Sequence, residues 1–364
     1  MRKIGVLVLL LFLITALASA AEKSKSTKAE SPTWYFAVAG DSRNCGDVVM
    51  PAIAAGAVNG HAAFYWHLGD LRKISAPDQD FMKLASLQGR AATREQYLKE
   101  AWKDFRENQM AKFGSMEFFL GIGNHETIPP KTRADFVAEF RNELDSPEIK
   151  SQRLKDDPTD DRVKTYYHWV RDGVDFINLD NATQSEFDGE QLKWFEKVVA
   201  RDGADASIHA VVAGMHEPLA ESISFSHSMN ETMGGTESGR QAYRDLLKLQ
   251  NESHKHVYIL ASHSHYYMDG IFNTEYWRTH GGVLPGWIIG TAGAERYPLP
   301  PAARDAKAAK ADVYGYLLAT VNEGEIKFEF KEIDEGQIPS DVLQRFTKPF
   351  VDECFSGNRR MFGF

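Results

Sequence analysis

The chain has little cysteine, no apolar run long enough to span a membrane, and no excess of basic charge. Cys45 and Cys354 are its only cysteines, too few for the cysteine pairs of a zinc ribbon. The apolar run from Ile4 to Leu17 holds 14 residues, short of the about 20 that a membrane span needs. Basic residues number 42 against 51 acidic, a formal charge of −9. Such a balance argues against general nucleic-acid binding, which rests on basic patches. Dinucleotide fingerprints, Walker loops and the Gly-x-Ser-x-Gly elbow of serine hydrolases are absent, as is any repeat at a solenoid period.

What is present begins with Met1-Arg2-Lys3, the apolar run, and Ala18-Ser19-Ala20. This order of charge, apolar core and small residues predicts a secretory signal peptide over residues 1–20; an uncleaved anchor is the alternative reading. No cysteine follows it to carry a lipid, so no stable membrane anchor is expected after its removal. Residues 21–33, rich in Lys, Ser and Thr, read as a flexible polar leader. Without Arg2 and Lys3, 40 basic residues face 51 acidic ones, a charge of −11. The expectation is an exported protein, periplasmic or secreted. In an oxidising compartment Cys45 and Cys354 can pair, tying the C-terminal tail to the loop after Asp41; two unpaired thiols fit the sequence equally.

The 43% hydrophobic content of the whole chain allows a sizeable core from Trp34 onward. Apolar stretches at 35–39, 63–68 and 117–120 read as buried strands, each ending at Gly-Asp or Gly-x-Gly-Asn. Segments 166–170 and 174–179 flank Asp172-Gly173, a hairpin signal. Helices are expected at 189–200, where Leu192, Phe195, Val198 and Val199 recur at helical spacing, and at 239–250. Strands are expected at 206–213, 256–261, 286–289, 316–321 and 326–330. Strands alternating with helices and ending in hairpins predict an α/β (α+β) fold, a four-layer sandwich of two mixed β-sheets flanked by helices. Residues 34–335 form the expected catalytic domain and 336–364 a tail wrapped on its surface. Residues 81–114 read as a charged helical insertion, and 131–164 as mostly polar, ending in an exposed loop.

Chemistry-bearing residues cluster where apolar runs give way to loops: Asp41, Asp70, Asn124-His125-Glu126, His216, and His263-Ser264-His265. Two carboxylates, an amide oxygen and three imidazoles make a hard-to-borderline ligand set suited to a pair of divalent ions. In order and spacing these motifs resemble the calcineurin-like metallophosphoesterase superfamily, over about residues 34–333. The resemblance implies that Asp70 bridges both ions, that Asp41 and His265 complete the first site, and that Asn124, His216 and His263 complete the second. It also implies that His125 is the general acid toward the leaving oxygen, with Glu126 as its orienting partner. The ions, Mn, Fe or Zn, would activate a hydroxide for attack on phosphorus.

The sequence departs from the family pattern at Arg43, where a ligating His or Gln is usual. Arginine stays protonated and has no acceptor, so the first ion is expected to be held weakly. Two readings follow: Arg43, with Asn44 beside it, binds a substrate phosphate oxygen, or the first site is empty. Ser262 stands where glycine usually precedes His-x-His. Lys73 stands where purple acid phosphatases place a ligating tyrosine, which demotes that relative. His67, His168 and His209 fall inside strand patterns and read as structural; His227 lies on a loop and is a candidate for the cleft. The expected function is an exported, metal-dependent phosphoric ester hydrolase acting on a small phosphomonoester or phosphodiester. The rival is a non-catalytic exported module that binds metal or phosphate. The sequence leaves the substrate and oligomeric state open.

Overall fold

The structure, a computed structural model, describes residues 33–360. The expected signal peptide and all of the leader but Thr33 lie outside the described residues. Twelve strands occur among those described: β1 (Trp34–Ala39), β2 (Ala62–His67), β3 (Glu117–Leu120), β4 (Tyr167–Arg171), β5 (Val174–Asn178), β6 (Ala210–Gly214), β7 (His256–Ala261), β8 (Tyr267–Asp269), β9 (Gly286–Ile289), β10 (Ala308–Lys310), β11 (Tyr314–Asn322) and β12 (Glu325–Ile333). One sheet runs β12-β11-β1-β2-β3 and the other β10-β8-β9-β7-β6-β5-β4. Each is mixed. In the first, β1, β2 and β3 are parallel and β11 pairs antiparallel with β1 and β12. In the second, β5, β6, β7 and β9 are parallel, with antiparallel strands at both flanks.

Alternation along the strands sets the layers. Phe36, Phe64 and Phe119 meet Trp169 and Phe176 of the opposite sheet, with Phe119 stacked on Trp169 at 3.8 Å and Phe36 edge-on to Phe176 at 5.1 Å. Further along, Trp287 meets Phe328 at 4.4 Å and Tyr267 meets Phe330 at 4.3 Å. On the outer side of the second sheet, Val211, Ile259 and Ile288 pack with Phe195 and Val198 of the helix Gly189–Ala204 and with Tyr243 and Leu246 of the helix Met233–Ser253. Helix Gly46–Asn59 crosses from β1 to β2 and packs with the first sheet. The fold is thus two mixed sheets flanked by helices.

Several elements differ from the sequence expectation. Helix Gly46–Asn59 has ten of its 14 residues buried and so lacks a polar stripe to betray it. It also contains Pro51, which cannot donate to the Asp47 carbonyl; Nη2 of Arg345 donates to that oxygen instead, at 2.9 Å. The stretch 131–164 does end in an exposed loop, over 157–164, but is helical before it. It forms helices Arg133–Glu139, Arg141–Leu144 and Pro147–Asp156, which bury Phe136, Phe140, Leu144 and Ile149. Beyond Ile333, helices Ser340–Arg345 and Lys348–Ser356 bury Val342, Phe346, Phe350 and Val351 in the same core as the first sheet. Cys354 of the last helix is disulfide-bonded to Cys45, with the two Cα atoms 5.9 Å apart.

Candidate metal centre

Parallel strands present their carboxyl ends on one edge, where open α/β sheets place ligands. Asp41 follows β1, Asp70 follows β2, Asn124 and His125 follow β3, His216 follows β6, and His263 and His265 follow β7. Three of these residues have left-handed backbones: Asp41 (φ 61°), Asp70 (φ 58°) and His263 (φ 65°). Such conformations are uncommon outside glycine and persist where surrounding structure enforces them, often at functional sites.

The enforcement is visible in the loops. Asp41 and Ser42 donate their backbone N–H groups to the carbonyls of Gly69 and Asp70, both at 3.0 Å. Gly69 takes φ 95°, and a side chain there would meet the Gly123 backbone nitrogen at 2.5 Å. Buried Glu126 accepts from the N–H groups of Asp70 (2.9 Å), Leu71 (3.0 Å) and Gly123 (2.9 Å). Glu126 therefore shapes the Asp70 loop and does not orient His125 as expected. Burial, followed by the nearby Asp70 charge, pushes the Glu126 carboxyl up to about 8.

Asp70, His216 and His263 offer ligand atoms all within 4.8 Å of one another, a group able to hold a metal ion. Oδ1 of Asn124 joins them, 3.1 Å from Nε2 of His216. Nδ1 of His216 faces the Leu68 carbonyl at 3.0 Å and Oγ of Ser262 at 3.1 Å. Donation from Nδ1 to that carbonyl would leave the Nε2 lone pair for an ion held by Asp70 and Asn124. Ser262 thus supports His216, and Gly40 makes room for it: a side chain at Gly40 would meet Oγ of Ser262 at 2.6 Å. Asn181 holds the same loop, donating to the Glu217 carbonyl (2.8 Å) and accepting from its N–H (3.1 Å). Burial opposes charge on His216, yet Asp70, with Asp41 behind it, carries its imidazolium up to about 10. Oδ2 of Asp70 is buried without a hydrogen bond among the described residues. Nε of Arg43 faces this oxygen at 3.4 Å without bonding to it, and a divalent ion at this group would give it a ligand contact. The donor set fits one ion here.

The first expected site is also assembled, but not alone. Oδ1 of Asp41 lies 3.1 Å from Nε2 of His265, and Oδ2 of Asp41 accepts from the His263 N–H at 2.7 Å. Arg43 inserts its guanidinium here. Nη2 reaches Nε2 of His265 at 2.8 Å, Nη1 reaches Nε2 of His125 at 2.6 Å, and Nε faces Oδ2 of Asp70 at 3.4 Å. His125 donates from Nδ1 to the Lys73 carbonyl, and its backbone N–H donates to Oδ1 of Asp70 at 2.9 Å. Burial lowers the His125 pKa, and the Arg43 charge adds to that. Asn44 does not reach these groups: its N–H donates to Asp78 at 2.7 Å and its side-chain oxygen faces the Glu295 N–H at 3.4 Å.

Sequence reasoning missed three supports. Tyr297 stacks on His265 with centroids 4.0 Å apart. The Lys73 carbonyl fixes the His125 ring. Arg72, fully buried, joins Asp47 (2.5 Å), Asp80 (2.9 Å) and Asp104, and so ties the loop after Asp41 to that after Asp70. None carries a local motif; each is a consequence of tertiary packing. The candidate His227 does lie beside the site, its ring 5.5 Å from that of His263. His67 is a core histidine, bonded to Oγ of Ser42 at 3.0 Å.

No family profile matches the sequence, and no curated protein is significantly similar to it. Solved structures are. A purple acid phosphatase from yellow lupin (Lupinus luteus) seeds superposes with a TM-score of 0.53 at 15% identity, over 86% of this chain. This chain spans only 55% of the lupin protein. PhoD gives 0.48 at 14% identity, over 84% of this chain and 69% of its own. A 5′-nucleotidase from Staphylococcus aureus, itself described as putative, gives 0.45 at 12%, over 88% of this chain and 58% of its own. The likeness to the lupin protein concerns the fold. The chain has the calcineurin-like metallophosphoesterase fold.

Proposed function

We propose that the protein is an exported, metal-dependent phosphoric ester hydrolase. The observation that carries this reading is the convergence of Asp70, Asn124, His216 and His263 from four separate strand ends. These four residues would hold a divalent ion, Mn, Fe or Zn, whose Lewis acidity polarises a phosphoryl oxygen and eases ionisation of water. Asp70 and Asn124 supply oxygen ligands of which only one is charged, which limits repulsion of an incoming phosphate. Arg43 grips phosphoryl oxygens through its fork. His125, its Nδ1 fixed on the Lys73 carbonyl, would act as general acid toward the departing oxygen only after Nε2, which accepts from Nη1 of Arg43, takes up a proton. The substrate is a small phosphomonoester or phosphodiester. The Cys45–Cys354 disulfide supports export, because such bonds persist in oxidising compartments. Among the described residues no helix is long and apolar enough to cross a membrane.

The test is hydrolysis of aryl phosphate mono- and diesters by purified mature chain, before and after metal removal. Activity that falls with chelation, returns with metal, and is lost in His263→Ala is the expected result. Arg43 favours a second reading, a binding module for metal or phosphate. Metal retained with no turnover of any ester would select that reading.

A further inference from the structure

We propose that the guanidinium of Arg43 takes the place of the first metal ion, so that the centre combines one divalent ion with one fixed organic cation. The inference rests on the metal-dependent reading above but turns on different atoms. In His265, Nδ1 faces the Glu295 carbonyl at 2.6 Å and must donate to it, because a carbonyl cannot donate. Nε2 then offers only a lone pair, as contact with Nη2 of Arg43 at 2.8 Å also requires, since arginine accepts nothing. Oδ1 of Asp41 nonetheless lies 3.1 Å from that same lone pair. Two acceptors held so close in a buried pocket call for positive charge beside them, and Arg43 supplies it, donating to His265 and facing Asp70 at 3.4 Å.

The rest of the guanidinium is placed in the same way. Nη1 donates to Nε2 of His125 and Nε faces the Asp70 carboxylate. Its side chain is only about a tenth exposed, and its loop is pinned by the Asn44–Asp78 bond and the Cys45–Cys354 disulfide. A metal ion ligated by His265 would lie about 2.0–2.1 Å from Nε2, on the lone pair that Nη2 of Arg43 now occupies from 2.8 Å. Charge points the same way. The centre holds two buried carboxylates, Asp41 and Asp70, and one guanidinium; one dication leaves it with a net charge of +1, two would leave +3. The other half of the centre has no hydrogen bond to Arg43: His216, Asn124 and His263 contact one another and Asp70.

Arg43 also keeps the function that an ion serves toward a phosphate. Each Nη carries two N–H groups and uses one on an imidazole, so one on each remains for phosphoryl oxygens in a forked contact. What a guanidinium lacks is an open coordination position, so it cannot help to ionise water.

The test counts metal with no substrate present. Chain stripped by chelator is equilibrated with Mn²⁺, dialysed, and analysed for retained metal, as wild type and as Arg43→His. One equivalent in wild type and two in Arg43→His is the expected result. Two in wild type overturns the inference and leaves the metal-dependent reading standing; none in wild type overturns both. One in each protein overturns the inference as well, because Asp41 and His265 should take an ion once the guanidinium is gone. Should Arg43→His fail to fold, Arg43→Gln serves, and electron paramagnetic resonance of Mn²⁺-loaded wild type decides independently. An isolated-ion signal supports the inference; a spin-coupled pair overturns it.

Discussion

Nη2 of Arg43 stands 2.8 Å from Nε2 of His265, while His263, two residues earlier, directs Nδ1 to within 3.1 Å of Nε2 of His216. On the proposed reading, the two histidines of one short motif serve different cations. Their substitution should separate. His263→Ala removes a ligand and is expected to abolish retention of Mn²⁺ after dialysis. His265→Ala removes only an outer neighbour and should weaken affinity by no more than about 10–100-fold, the range for residues behind the ligands. Calorimetric titration of both variants measures the difference.

His125 is predicted to matter in proportion to how poor the leaving group is. Protonation of a departing alkoxide contributes about 10²–10⁴-fold to rate. His125→Ala should therefore lose that much on alkyl phosphates and markedly less on esters of acidic phenols. A loss in kcat equal across the leaving-group series would remove His125 from the proton-transfer role.

The disulfide between Cys45 and Cys354 closes a sequence separation of 309 residues. Closing a long loop restricts the unfolded chain, and losing such a bond typically costs about 2–5 kcal/mol. Cys45→Ser with Cys354→Ser should lower Tm, and in the wild type a reductant should do the same. The loop carrying Asp41 and Arg43 ends at Cys45, so phosphate affinity should fall alongside Tm.

A pH signature is expected away from the metal centre. His168 is buried between Asp156 (2.5 Å) and Asp175 (2.8 Å), with Arg201 and Asp202 at the same cluster and the Trp194 ring against it. Burial opposes its charge, but Asp175 and Asp156 outweigh it and carry the pKa from 6.5 up to about 9. A raised folded-state pKa stabilises the fold fully below about pH 6.5, and that contribution disappears as pH climbs through about 9. Its full size is roughly 3 kcal/mol. The Tm gap between wild type and His168→Gln should be widest near pH 6 and shrink by pH 10. A gap that widens with rising pH would refute this.

Much of the site was legible because ligand chemistry needs particular residue types at strand ends. Asp41, Asp70, Asn124, His216, His263 and His265 do meet at one edge, and β3, β7 and β9 span the expected residues. What stayed hidden depends on direction and distance. Arg43 could be recognised as a departure, but nothing local fixes its guanidinium on His265 and His125. The left-handed backbones at Asp41, Asp70 and His263 arise from loop-to-loop hydrogen bonds between segments far apart in sequence. Glu126 sits beside His125 in the chain yet serves the Asp70 loop. Helix Gly46–Asn59 escaped because it is buried nearly all round, which erases the amphipathic period.

The most direct check on the whole account is anomalous scattering from crystals of the mature chain grown with Mn²⁺ or Zn²⁺. The account predicts one peak, bounded by Asp70, Asn124, His216 and His263, with the Arg43 guanidinium still against His265. A second peak between Asp41 and His265, or no peak at either place, would contradict it.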